Sequence, residues 1–302
     1  MAPWPVQASA TNAIAGQLSS SAAQDDERLV EKAKKDAAEF TVEKHVRPNQ
    51  VIGVGTGSTA AYVVYALAER YAAGRLPNIK CVPTSFQARH LILENKLPLS
   101  DLERTPDVDV AIDGADEVDA SLNAIKGGGG CLTQEKIVQS CARRFIVVAD
   151  FRKRSNRFGD RFARLPMEVV PNAFQPIKRR IERAHGGAVK LRMAQRKAGP
   201  VVSDNSNVIA DWEFPKGVDF DWPRLNVELK MMPGIVETGL FLGVVERAYF
   251  GMADGSVCEL CRPGVDAEKA ATAAGVAELI STCHLWGGTT VVAGTDNDQE
   301  SK

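Results

Sequence analysis

Apolar residues along this 302-residue chain recur with two different periods, and their alternation sets the architecture. From Asp25 an apolar stripe runs Leu29, Ala33, Ala37 and Phe40 at helical spacing, with Asp25 or Asp26 placed to cap it and Pro48 to end it. Residues 51–54 form a short apolar strand. A glycine-rich turn follows, and then the apolar run 60–68, the buried face of a helix. Residues 80–83 read as a strand, 87–93 as a helix, 109–112 as a third strand and 145–149 as a fourth. This alternation predicts an α/β fold, a Rossmann-like parallel sheet covered on both faces. Ligands of such sheets bind beyond the carboxyl ends of the strands.

After residue 157 the pattern changes. Residues 166–171 read as a strand between prolines and 173–184 as a basic helix ending at His185-Gly186-Gly187. Residues 201–203 and 208–210 read as short strands around a polar turn. These predict a small α+β unit, residues 158–238, inserted in a main domain of residues 25–157 and 239–302. The apolar run 239–243 is expected to rejoin the main sheet, and Asp266 opens a terminal helix through Ile280. Segment 211–226, aromatic and acidic, finds no place in this pattern and reads as a surface excursion. Residues 1–24 carry no charged side chain, which suits a disordered tail and not a signal peptide.

Charge changes the picture by exclusion. With 37 Lys+Arg against 38 Asp+Glu the net charge is -1, which speaks against a long-range grip on nucleic acid or anionic membrane. No apolar run is long enough for a membrane span. The six cysteines outline no disulfide framework. Zinc at Cys258-x-x-Cys261 needs a second pair, and the adjacent Cys283-His284 is a poor one. Only four histidines occur, scattered at 45, 90, 185 and 284, so chemistry falls to carboxylates, lysines and backbone.

Four groups stand at predicted strand ends. Gly53-Val54-Gly55-Thr56-Gly57-Ser58-Thr59 joins a strand to a helix, where close-approaching backbone, unpaired N–H groups and hydroxyls suit a phosphate. It is neither a Walker loop nor a dinucleotide fingerprint, and a tight turn without ligand is the alternative. Asp113-Gly114-Ala115-Asp116-Glu117-Val118-Asp119 places carboxylates where desolvation raises their pKa and suits proton transfer; a Mg²⁺ loop or a solvated acidic turn also fits. Lys126-Gly127-Gly128-Gly129-Gly130 precedes a helix carrying Glu135. Four consecutive glycines cost chain entropy, which makes sense if backbone N–H groups face a ligand rather than form a linker. Lys153 follows the fourth strand and gains weight from that position. Together the set suits proton abstraction beside the carbonyl of a phosphorylated sugar.

These residues resemble the ribose-5-phosphate isomerase A family. The likeness runs through residues 53–60, PTSFQAR (83–89), DGADEVD (113–119), KGGGGCLTQEKI (126–137), VVADFRK (147–153), PMEVVP (166–171), SDNSN (203–207) and PGIVETGLF (233–241). It spans roughly Asp26 to Gly243. It implies a metal-independent, cofactor-free aldose–ketose isomerase of the non-oxidative pentose phosphate pathway, acting on ribose 5-phosphate and ribulose 5-phosphate through an enediolate. By motif, Glu135 is the base, Asp113 assists ring opening and proton movement on the oxygens, Asp116 positions hydroxyls, and Lys126 stabilises the enediolate. Thr56, Gly57, Ser58, Thr59, Gly114, Ala115, Gly127, Gly128 and Gly129 line the substrate pocket, and Lys153 holds phosphate. Lys35 on the first helix adds to it, although no motif fixes that position. The resemblance also implies a ferredoxin-like smaller domain, a homodimer or homotetramer, and a cytoplasmic protein. Cys131, Gln134 and Ser206 stand where the family usually has Ala, Arg and Gly.

A coenzyme A transferase with a nucleophilic Glu is one alternative, and the phosphate-suited loop argues against it. A sugar-phosphate sensor is another, and it predicts a DNA-binding module and no catalytic Glu. An aldolase or deaminase on phosphosugars is a weaker third.

Overall fold

The computed structural model describes residues 10–262. In chain order it holds α1 (Ala10–His45), β1 (Val51–Val54), α2 (Ser58–Ala72), β2 (Lys80–Pro83), α3 (Phe86–Glu94) and β3 (Val110–Asp113). Then come β4 (Glu117–Val118), β5 (Ala124–Ile125), α4 (Leu132–Ser140), β6 (Phe145–Asp150), β7 (Leu165–Val169) and α5 (Phe174–His185). The remainder is β8 (Ala188–Leu191), β9 (Val208–Glu213), α6 (Trp222–Lys230), β10 (Ile235–Thr238), β11 (Leu240–Phe241), β12 (Arg247–Gly251) and β13 (Val257–Cys261).

The main sheet has six strands in the order β13-β12-β6-β3-β1-β2. All neighbours are parallel except β13, which closes one edge antiparallel to β12. Apolar runs such as Val110–Asp113 and Phe145–Asp150 are buried along their whole length, as strands covered on both faces must be. Ile52, Ile112 and Ile146 from three adjacent strands are fully buried, each contributing about 1.5–3 kcal/mol of hydrophobic stabilisation. Chain order reverses between β1 and β3, so the crevice beyond their carboxyl ends is where this architecture places a ligand.

The second sheet has the order β10-β7-β9-β8, every pair antiparallel. Its connectivity β7-α5-β8-β9-α6-β10 is the ferredoxin-like split βαβ arrangement. A small third sheet, β11-β5-β4, carries Lys126 directly after β5.

Several expectations change. Helix α1 begins at Ala10, within the stretch expected to be a disordered tail. Residues 10–24 are rich in Ala and hold no Pro, so no helix breaker of that kind interrupts them, and Asp25 and Asp26 lie inside the helix rather than capping it. The buried face of α1 is Val30, Ala33, Ala37, Ala38 and Val42, while Leu29 and Phe40 are over 40% exposed. Ala33 and Ala37 thus stand on the buried face as expected, while Val30, Ala38 and Val42 complete it in place of Leu29 and Phe40.

Segment 211–226 is anchored in the core by the end of β9 and by α6, with an exposed stretch at 216–219 between them. Trp212 is fully buried against Phe214 and Phe220, and these two rings pack on each other and on Trp222, with ring centroids 5.1–6.5 Å apart in edge-on or tilted contacts. The run 239–243 contributes β11 to the small sheet; β12 is what rejoins the main sheet. Residues 201–203 make only an isolated bridge, Val202 to Val208, and β8 is the strand beside β9. Cys258 and Cys261 stand three apart on β13, so their side chains leave opposite faces and do not converge on one ion. The helix expected after Asp266 lies outside the described residues.

Candidate active site

Three loops meet at the carboxyl ends of β1, β3 and β6, and a fourth comes from β5. They enclose a cleft of about 320 Å³. Its walls include Thr56, Gly57, Ser58, Thr59, Gly114, Ala115, Asp116, Lys126, Gly127, Gly128, Gly129, Glu135 and Lys153. Sequence reading missed three further members, Lys34, Asp150 and Arg152.

Lys126 is the centre of one end. Its ammonium donates to the Gly114 carbonyl at 2.6 Å and lies 2.9 Å from Asp113 Oδ2 and 3.2 Å from Glu135 Oε2. All three side chains are 4% exposed or less. Asp113 Oδ1 is fixed by the N–H groups of Thr56 at 3.0 Å and Gly114 at 2.7 Å. Asp113 Oδ2 and Glu135 Oε2 have no aligned hydrogen-bond donor, only the ion-pair contact to Lys126. Gly55 is required by this packing: a Cβ there would stand 2.1 Å from Asp113 Oδ1.

The electrostatics follow from burial. Desolvation pushes the Glu135 carboxyl up to about 8, with the Lys126 ammonium only partly offsetting it. Burial opposes the charge on Lys126, but the Asp113 and Glu135 carboxylates outweigh it and hold its pKa above the ordinary lysine value. Lys126 is thus a fixed cation, and Glu135 is poised to gain or lose a proton near neutrality. Burial also pushes the Cys131 thiol up to about 12, so this cysteine is no nucleophile at neutral pH.

The glycine loop is braced from two sides. Gly128 N–H donates to Asp116 Oδ2 at 2.6 Å, and a Cβ on Gly128 would fall 2.3 Å from Asp116 Oδ1. Gly127 has φ +99°, a conformation glycine adopts readily. The Phe241 ring lies under Lys126 at 5.4 Å and under Lys136 at 4.8 Å. Lys136 pairs with Glu237 at 3.0 Å, tying α4 to β10.

The other end of the cleft is open. The N-terminus of α2 presents Ser58 and Thr59, with Lys34, Arg152 and Lys153 around them. Thr56 lines the cleft as expected, but its hydroxyl is already engaged, donating to Ser85 at 2.7 Å and pairing with Thr84 at 2.8 Å, so it also braces the loop. Gly57 N–H is likewise engaged by Gln87 at 2.9 Å. The PTSFQAR motif therefore shapes the neighbouring loop.

Lys35 is a correction. It lies 3.6 Å from Glu39, is 57% exposed and does not line the cleft. Lys34, one residue earlier, does. It sits on the buried face of α1 and is held by Glu31 at 2.6 Å, itself bonded by Tyr62. A step of one residue turns a helix by about 100°, enough to swing a side chain from solvent into the cleft.

Two departures from the family pattern have visible consequences. Ser206 has φ +64°, so the turn keeps the left-handed geometry that glycine would favour. Gln134 donates to Asn205 at 3.0 Å, linking α4 to the turn that precedes β9. Among the described residues no group of three or more His, Cys, Asp or Glu is placed to hold a metal ion, and no helix is long and apolar enough to cross a membrane.

A family model for ribose 5-phosphate isomerase A (phosphoriboisomerase A) matches residues 80–255, running through segment 211–226. A human ribose-5-phosphate isomerase is 57% identical over 228 residues, 75% of this chain and 72% of that protein. A solved D-ribose-5-phosphate isomerase in complex with phospho-erythronic acid superposes with a TM-score of 0.73 at 40% identity, covering 77% of this chain and 99% of that one. The ribose 5-phosphate isomerase A of Methanocaldococcus jannaschii gives 0.70 at 39% identity, over 78% and 99%. Loops, cleft and sequence agree: the chain belongs to the ribose 5-phosphate isomerase A family.

Proposed function

We propose that this protein interconverts ribose 5-phosphate and ribulose 5-phosphate, and that Glu135 moves the proton. The observation that carries this reading is the desolvated triad of Glu135, Lys126 and Asp113, set beside a helix N-terminus suited to phosphate. Glu135 as carboxylate removes the proton from C2 of the open-chain aldose and returns it to C1. Negative charge grows on the sugar oxygens as the enediolate forms, and the Lys126 ammonium and the glycine-loop N–H groups stabilise it. Proton transfer by a positioned carboxylate contributes about 10²–10⁴-fold in rate, and one oxyanion donor about 10²–10³-fold. Asp113 serves the oxygens and ring opening. Asp116 has one oxygen on the loop and the other available to the sugar hydroxyls.

Phosphate binds at the α2 N-terminus with Ser58, Thr59, Lys153 and Lys34. The relative solved with phospho-erythronic acid holds a phosphorylated sugar acid, and this chain should bind the same compound. Residues 158–238 act as a smaller unit inserted in the main domain, supported by their separate sheet and apolar core. A homodimer or homotetramer is supported by Val227 on α6 and Met231 at its C-cap, both exposed. The free thiols at Cys81, Cys131, Cys141 and Cys258 fit a reducing, cytoplasmic setting.

The test is a direct assay of ribose 5-phosphate conversion to ribulose 5-phosphate with EDTA present. Undiminished turnover is expected. A folded protein that leaves both sugars unchanged would overturn the assignment.

A further inference from the structure

The glycine loop does not hold itself. Arg192, in the residue directly after β8, reaches it from the second sheet. One guanidinium nitrogen, Nη1, donates to two successive loop carbonyls, Gly127 at 2.9 Å and Gly128 at 3.0 Å. The other two nitrogens grip Asp211 on β9, Nε at 2.7 Å from Oδ2 and Nη2 against Oδ1. Asp211 is buried, and Arg192 is itself fixed in the sheet, its N–H on Ile209 O and its carbonyl accepting from Val201. Arg192 does not line the cleft.

Peptide geometry gives this clamp a consequence. In a planar trans peptide the N–H points opposite to the C=O. Holding the Gly127 carbonyl on the Arg192 side sends the Gly128 N–H the other way, onto Asp116 at 2.6 Å. Holding the Gly128 carbonyl turns the Gly129 N–H away from Arg192 in the same manner. Gly129 lines the cleft, and its N–H has no protein acceptor among the described residues. Four glycines in a row have no side chains to keep these peptides from flipping, so an external clamp is what selects the orientation.

We propose that Arg192, braced by Asp211, is a positioning residue that orients the glycine-loop amides toward the charge developing on the substrate. This rests on the isomerase reading above. Arg192 acts through the loop and never touches the sugar. Its charge is matched by Asp211, so its contribution is directional. Lysine cannot replace it, since one ammonium cannot hold a carboxylate by two bonds and two carbonyls at once.

The test compares Arg192→Lys and Arg192→Ala with wild type. It uses steady-state kinetics, calorimetric binding of phospho-erythronic acid, and added guanidinium ion. The expected result is a fall in kcat of about 10²-fold in both variants, the size of a lost oxyanion donor, with KM within about threefold. Affinity for phospho-erythronic acid, whose carboxylate takes the place of the enediolate oxygens, should weaken at least about tenfold. Millimolar guanidinium should restore part of the kcat of Arg192→Ala and none in wild type. If Arg192→Ala does not fold, Arg192→Lys, which keeps the cation, carries the comparison. A kcat within about twofold of wild type, or a loss confined to KM, would overturn the proposal. Wild-type protein that binds phospho-erythronic acid without isomerising would overturn the isomerase reading instead, and the affinity of the variants would then decide the role of Arg192.

Discussion

The two ends of the cleft are built on opposite principles. At the reacting end Asp113, Lys126 and Glu135 are almost completely buried, and both carboxylates lie at about hydrogen-bond distance from the Lys126 ammonium. At the open end the cations are spread out: Arg152 is roughly half exposed even while paired with the buried Asp150, and only Lys34, held by Glu31, is largely buried. Charges in water are screened and individually weak, which suffices to hold a dianion that keeps its charge throughout the reaction. Proton transfer makes a different demand. Desolvation must bring a carboxylate pKa near neutrality, and the accompanying cation must stay charged, which requires low dielectric and close contact. On the proposed assignment, binding energy and reactivity are supplied by separate residues, so they should separate experimentally.

The strongest way to break that separation is at the base. Glu135→Gln keeps shape and removes proton transfer, so kcat should fall by about 10³-fold or more while phospho-erythronic acid still binds. Near wild-type kcat would contradict the base assignment. Lys126→Ala comes next, with kcat expected to fall about 10²–10³-fold; an effect on KM alone would make Lys126 a binder of the ground state. At the open end the pattern should invert. Lys153→Ala or Lys34→Ala should raise KM about tenfold with kcat nearly unchanged, and the rise should shrink in high salt. The smallest effect sharpens the geometry: Lys35→Ala should change KM by less than about twofold, since Lys35 faces solvent. A larger effect there than at Lys34 would contradict the placement of α1.

The reacting end was far more legible in sequence than the phosphate end, for physical reasons. Asp113, Lys126 and Glu135 sit beside glycines whose presence is costly without a purpose, so residue type and position speak together. Lys34 and Lys35 carry no such punctuation. Only the phase of an alanine-rich stripe distinguishes them, and Leu29 and Phe40 set that phase wrongly by staying partly in solvent. Arg192 was invisible because its partners, Gly127 and Gly128, lie over 60 residues away. The parallel strands β1, β3 and β6 were readable as apolar runs. Strand β12 begins at the buried Arg247, and β13 alternates Cys with charged and apolar residues, so neither announces itself. The aromatic cluster of Trp212, Phe214, Phe220 and Trp222 has no period, because what orders it is ring packing among the end of β9, the loop after it and the start of α6.

The claim beneath all of this is that burial tunes Glu135 to work as a base near neutral pH, and the pH dependence of kcat/KM tests it most directly. The active form is the carboxylate, so activity is full above its pKa and falls about tenfold per pH unit below it. With Glu135 raised to about 8, the acid limb should lie well above the ordinary glutamate range of about 4.3. A profile that stays level down to about pH 5, as an unperturbed carboxylate would give, would contradict the account.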